Sequence, residues 1–217
     1  MTSPSPTAQR RVDELVAHVV GEYVSELQRG YLDDHSVAVA ALAQLRRGAG
    51  KLIQDVPDLW GVCGIERLYA DEDGLHHNQP EHVQLKAENA MFLAVTLYAL
   101  HQQSHSKDRM HRPGVGLGTA VRRLMPEHTI DEPIRRRFVR LGTATDLEAL
   151  AYRLREIVSL LRREAIPLDY ALLASQLYQA QFPDGLRQVR RQWGRSFHTY
   201  RTESSSNGEV ETVKDDR

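Results

Sequence analysis

Between Ile134 and Arg163 the chain reads IRRRFVRLGTATDLEALAYRLREIVSLLRR, and this segment constrains the fold most. Leu147, Leu150, Leu154, Ile157 and Leu161 recur at alternating steps of three and four, which places them on one face of a helix. Thr145 followed three residues later by Glu148 reads as a capping-box start for that helix. Gly142 is placed to end a preceding helix, in which Ile134, Phe138 and Leu141 face inward while Arg136, Arg137 and Arg140 share another side. One stretch thus supplies a packing face and a cationic face, the pattern of a helical module that binds nucleic acid.

Helical spacing continues in both directions. Thr7 can cap a helix to about Arg29, with Val12, Leu15, Val16, Val19, Tyr23 and Leu27 inward and Gly30 ending it. An Ala-rich helix follows from about Ser36 to Arg47, ending in LRRGAGK. Pro57 opens a short helix, DLWGVCGIERLY, held by Trp60, Ile65 and Leu68, and a long one runs from about Glu81 to Gln102. GLGTAVRRLM turns Leu117, Val121, Leu124 and Met125 inward beside Arg122 and Arg123. Asp169 caps DYALLASQLYQAQF, which offers Leu172, Leu173, Leu177 and Tyr178 to a core. Pro183 opens the final helix, where Leu186, Val189, Trp193 and Phe197 face one way and Arg187, Arg191 and Arg195 another. No strand-like alternation appears. The expectation is an all-α protein of two packed helical bundles and about nine helices.

Punctuation divides the chain. Residues 1–6 form a Ser/Pro-rich flexible lead, 7–103 an N-terminal bundle, 104–113 a linker loop and 114–200 a basic C-terminal bundle, with 201–217 an acidic tail expected to be disordered. Asp71–Pro80, DEDGLHHNQP, is a polar loop.

Charge separates the halves more sharply than the net value of −1 suggests. Residues 1–100 hold 8 Lys and Arg against 14 Asp and Glu, net −6; residues 101–201 hold 18 against 10, net +8, and 17 of those cations are Arg. Such asymmetry points to a polyanionic partner, and Arg is the better fork for phosphate oxygens. No apolar run spans a membrane, the first residues lack a signal core, and Cys63 stands alone, so a cytoplasmic protein without disulfides is expected.

Catalytic and metal chemistry find little support. LRRGAGK lacks the glycine spacing and the Ser/Thr of a P-loop, and no paired carboxylates or nucleophile–base spacing stand out. His76, His77 and His82 cluster, as do His101, His105 and His111, but neither spacing matches a zinc motif. Cys63 reads as a buried thiol. No enzyme, metal or cofactor is expected.

The ordered series LRRGAGK, LYALHQQ, GLGTAVRRL, RRRFVRL, LAYRLREIVSLLRREAIPLDYALLASQLY and VRRQWGRSFH resembles the CasB family, the small subunit of the Cascade surveillance complex of type I-E CRISPR systems. The resemblance covers most of Ala38–His198 and is densest after Gly114. It implies an all-helical protein present in two copies beside the other Cascade subunits. It also implies non-catalytic, sequence-independent binding that stabilises the R-loop formed by guide RNA and target DNA. Matched residue by residue, Arg46, Arg47 and Lys51 fall in the first basic motif and Arg122 and Arg123 in the second. Arg136, Arg137 and Arg140 fall in the third and Arg191 and Arg195 in the last. His101 lies in an apolar stretch of its motif and reads as structural.

From the residues alone, two other readings compete: a helix-turn-helix-like DNA-binding regulator, and a helical scaffold whose Arg face pairs with an acidic protein. The break between GLGTAVRRLM and IRRRFVRL is long for the usual three- or four-residue turn. Trp193 and Tyr200 are the nearest aromatic candidates for base stacking, with Trp193 spaced as a core residue.

Overall fold

The structure, a computed structural model, describes residues 11–70, 74–75, 79–126 and 129–200. Among the described residues eight α-helices follow one another: α1 (Val12–Leu32), α2 (Ser36–Leu45), α3 (Glu81–Gln102), α4 (Leu117–Arg123), α5 (Glu132–Gly142), α6 (Leu147–Arg163), α7 (Tyr170–Ala180) and α8 (Gly185–His198). Among the described residues the only β-type pairing is an isolated parallel bridge between His111 and Leu168. The fold is all-α.

The long α3 is the spine. From Asn89 to Ala99 every residue is buried, the signature of a helix covered on all sides rather than a surface helix with one apolar stripe. Helices α1, α2, α6 and α7 pack around it, and α1 also runs against α7. Gly21 of α1 lets that pair close, since a Cβ there would lie 3.2 Å from the Ala171 methyl. The buried side chains form one contiguous cluster drawn from both sides of residues 104–113. No helix among the described residues is long and apolar enough to cross a membrane.

The chain between α3 and α4 is held by two glutamine side chains, one at the end of α3 and one from α1. Gln102 donates to the carbonyls of His105 (2.6 Å) and Asp108 (2.8 Å) and accepts from the Met110 amide (3.1 Å). Gln28 of α1 accepts from the His111 amide at 2.8 Å and donates to its carbonyl at 3.2 Å. Buried His101, read from the sequence as structural, places Nδ1 2.9 Å from the Tyr170 hydroxyl. Burial, with His105 nearby, holds its pKa down to about 3. The role is internal polar packing.

Several local expectations change. Gly30 does not end α1, which continues to Leu32; Gly30 instead lets α2 approach, a Cβ there falling 2.7 Å from that of Ala38. The expected helix after Pro57 is two 3-10 turns, Pro57–Leu59 and Ile65–Leu68, because Gly64 takes φ +78° beneath the Tyr23 ring. Trp60 is 47% exposed and does not hold that segment, whereas Leu59, Ile65 and Leu68 are buried. Asp146, not Thr145, caps α6: its carboxylate accepts from the Ala149 amide at 2.8 Å, and the Thr145 hydroxyl donates to that carboxylate. Leu172 is 38% exposed, leaving Leu173, Leu177 and Tyr178 as the inward residues of α7. Asp169 caps α7 through the Leu172 amide at 3.0 Å. The expected lead, Thr7 and the acidic tail lie outside the described residues, as does most of the 71–80 loop.

Candidate nucleic-acid interface

Helix α5 begins where Asp131 accepts from the Ile134 amide at 2.9 Å, with Pro133 in the first turn. Leu141 is buried, and Ile134 and Phe138 are half-buried against the core. Phe138 stacks on Phe197 of α8, ring centroids 5.2 Å apart and planes 21° from parallel. With its apolar side thus used, α5 turns Arg136, Arg137 and Arg140 to solvent. None of the three has an ion-pair partner among the described residues, whereas Arg135 lies 3.6 Å from Glu132.

Helix α8 is anchored by Trp193, whose indole N–H donates to Gln176 of α7 at 2.7 Å. Val189, Trp193 and Phe197 are buried, as their spacing requires. Arg191 and Arg195 are exposed and also lack an ion-pair partner among the described residues, while Arg187 pairs with Asp184 at 2.7 Å. On another side, α4 lies directly on α8: a Cβ added to Gly118 would fall 2.0 Å from the Trp193 carbonyl oxygen. Arg123 of α4 sits over the Tyr200 ring, 5.3 Å from its centroid. Arg122 is half-buried and donates to the Pro126 carbonyl at 2.9 Å. The third and fourth basic motifs, together with Arg123, are therefore assembled around α8.

The first basic motif is placed elsewhere. Arg46–Gly48 form a 3-10 turn seated on the core, where a Cβ on Gly48 would come within 2.9 Å of Leu59 and Thr96. Gly50, at φ +78°, then rests against Arg155 of α6. Lys51 is exposed, Arg46 half-exposed, and Arg47 forms an ion pair with Asp58. Arg155 was not among the residues singled out by sequence, because nothing in its local spacing distinguishes it from the rest of α6. Arg153, two residues away and so on the opposite flank of the helix, donates to the Arg140 carbonyl and the Thr143 hydroxyl at the end of α5. Helix α6 thus separates two cationic surfaces: Arg46, Lys51 and Arg155 on one flank, and the α5–α8 arginines on the other.

The remaining reactive side chains do not assemble. Among the described residues no group of three or more His, Cys, Asp or Glu is placed to hold a metal ion. His76 and His77 lie outside the described residues, and His105 Nε2 is 2.8 Å from the Arg162 carbonyl. Cys63 is buried, its Sγ 3.2 Å from the Trp60 carbonyl, and burial pushes its thiol up to about 11.

Fold and surface together define an all-α protein that displays unpaired arginines on packed helices. Comparison with known proteins gives the class its family. The family model for CRISPR-associated protein Cse2 matches residues 41–198. The crystal structure of CasB from Thermobifida fusca is similar, with 54% sequence identity, a TM-score of 0.76, and coverage of 85% of this chain and 98% of that one. A chain of a CRISPR RNA-guided surveillance complex, 18% identical, shares the fold with a TM-score of 0.61 over 84% of this chain and 93% of its own. No curated protein matches. The chain belongs to the Cse2/CasB family.

Proposed function

We propose that this protein is a non-catalytic subunit of a CRISPR RNA-guided surveillance complex, the type I-E Cascade, working in the cytoplasm beside a second copy of itself. It holds guide RNA and target DNA by their phosphates and so stabilises the R-loop. The observation that carries this reading is the convergence, in a Cse2-family chain, of exposed and unpaired Arg136, Arg137, Arg140, Arg191 and Arg195 on two adjoining helices. Their sequence-independent grip follows from chemistry: guanidinium groups fork onto phosphate oxygens, which set affinity and register but carry no base information. Arg46, Lys51 and Arg155 offer a second surface beyond α6, so a strand or duplex can be held on both sides of that helix.

The test is salt dependence. Binding to unrelated sequences should be equal at any one salt concentration, and the logarithmic slope reports the number of phosphates neutralised, about −0.9 per contact on duplex. Replacing Arg136, Arg137 and Arg140 together by Ala should flatten that slope by roughly 2–3. An assembled complex carrying the triple variant should load guide RNA and form a shorter-lived R-loop. A folded triple variant with an unchanged slope overturns the assignment of this face. Failure to join the complex, with DNA binding intact, would show that α5 grips a protein neighbour instead.

A further inference from the structure

A pocket of about 600 Å³ opens where the first turns of α3, the start of α6 and the turn between α7 and α8 come together. Its apolar lining includes Leu85, Leu147, Leu150, Phe182 and Leu186. Leu85 is 50% exposed, so a large apolar side chain is left to water at this place. The volume lies in the range of roughly 300–1,000 Å³ usual for ligand sites, which combine apolar walls with a few placed polar groups. No arginine lines it, so it is separate from both cationic surfaces.

Two polar groups of this lining are unanswered. Asn89 of α3 is only 8% exposed, its Oδ1 is buried without a donor, and its carboxamide makes no hydrogen bond among the described residues. Buried Gln28, Gln102 and Gln176 are the contrast, since each uses both the oxygen and the nitrogen of its amide. An unpaired buried acceptor costs stability that an apolar residue of similar size would recover. Three residues earlier, the Lys86 ammonium stands over the Phe182 ring, 4.4 Å from its centroid, with no carboxylate at ion-pair distance among the described residues. The turn carrying Phe182 is fixed by Gln181, whose amide donates to the carbonyls of Lys86 (2.9 Å) and Leu177 (3.1 Å). Asp146, also in the lining, is committed to capping α6.

We propose that this pocket docks an extended segment of a partner protein that carries an apolar residue and, two positions away, an Asp or Glu. The apolar side chain fills the pocket, the backbone N–H of that residue donates to Asn89 Oδ1, and the carboxylate pairs with Lys86. Residues two apart on an extended chain share a face, so one segment reaches both groups. A peptide unit offers a donor and an acceptor together, and a carboxamide answers with an acceptor and a donor. Nucleic acid does not suit the site, whose walls are apolar and whose lining includes the Asp146 carboxylate but no guanidinium. The inference is independent of the phosphate-binding reading above.

The test titrates the full chain with the blocked peptide acetyl-Gly-Glu-Gly-Leu-Gly-amide and follows leucine methyl resonances. Leu85, Leu147, Leu150 and Leu186 should shift together and saturably. Methylating the peptide's leucine nitrogen removes the proposed donor and should weaken binding at least about fivefold. Replacing its Glu by Gln should cost roughly two- to fivefold, and in Lys86→Met that replacement should cost nothing further. Asn89→Leu should lose peptide binding while the urea midpoint of the free protein rises, because an unpaired buried amide is removed. An asparagine that served the fold alone would give the opposite change in midpoint. The methylated and Gln peptides act on the wild-type protein, so the test does not depend on any variant folding. The site is overturned if the parent peptide gives no saturable shift, or if the methylated and Gln peptides bind as well as the parent. Saturable shifts of these four leucines with a 16-nucleotide oligothymidylate instead of the peptide would also overturn it, giving the pocket to nucleic acid.

Discussion

Arg155 of α6 occupies the space beside Gly50: a Cβ added to that glycine would lie 2.9 Å from both Cβ and Cδ of the arginine. The basic loop of the acidic half is thereby seated on a helix of the basic half. Gly50→Ala would combine a left-handed backbone at φ +78° with this close approach. We expect a loss of about 1–3 kcal/mol, read from the urea midpoint. Gly61→Ala, where a Cβ meets nothing within 4 Å and φ is not positive, should be close to neutral.

Asp169 joins two elements with one carboxylate. Oδ1 accepts from the Leu172 amide at 3.0 Å as the cap of α7, and Oδ2 accepts from the Gly114 amide at 2.8 Å. Asp169→Ala loses the cap and leaves the Gly114 amide without its acceptor, for an expected cost of about 2–4 kcal/mol. Asp169→Asn can still cap α7 through its amide oxygen and should lose clearly less. Denaturant unfolding of the two variants checks the order.

Stability should fall on mild acidification. Burial lowers the pKa of His101 to about 3 and also lowers that of His111, which Asp169 partly opposes. Both histidines are neutral in the native protein and take up protons more readily when unfolded. Their contribution is therefore complete above the unfolded value near 6.5 and is lost as pH drops toward the folded values. Each adds about 1.4 kcal/mol per pH unit to the slope within its window. Urea midpoints between pH 7 and 5 should decline, and His101→Phe should remove about one proton's share of the slope.

We propose that residues 104–113 mark the division of the chain into its two helical groups. Ser106 to Arg109 are exposed, while Met110 and His111 are buried and tied to Gln102 and Gln28. Brief trypsin treatment should cut first after Lys107 or Arg109. The two pieces should then co-elute, because α1 packs on α7 and α3 on both α6 and α7. First cuts within α3 or α6 would count against the division.

What the sequence determined by itself was periodic and local. Steps of three and four set α6 and α8, the 186-189-193-197 spacing put Trp193 in the core, and Asp169 could be named as a cap because capping acts within one turn. The arginine inventory of α5 and α8 was legible for the same reason: once inward positions are assigned, outward ones follow. Tertiary structure decided whatever depends on a neighbour distant in the chain. Asp146 and Thr145 are both good caps, and the choice fell to the path by which the chain enters α6, with Asp146 in an extended conformation. The segment after Pro57 has helical residues but must pass beneath Tyr23, which only Gly64 in a left-handed conformation allows. Phe138 meets Phe197 across 59 positions of sequence, so no spacing rule reveals their contact. Helical period records which face a residue occupies, whereas packing alone records which faces meet.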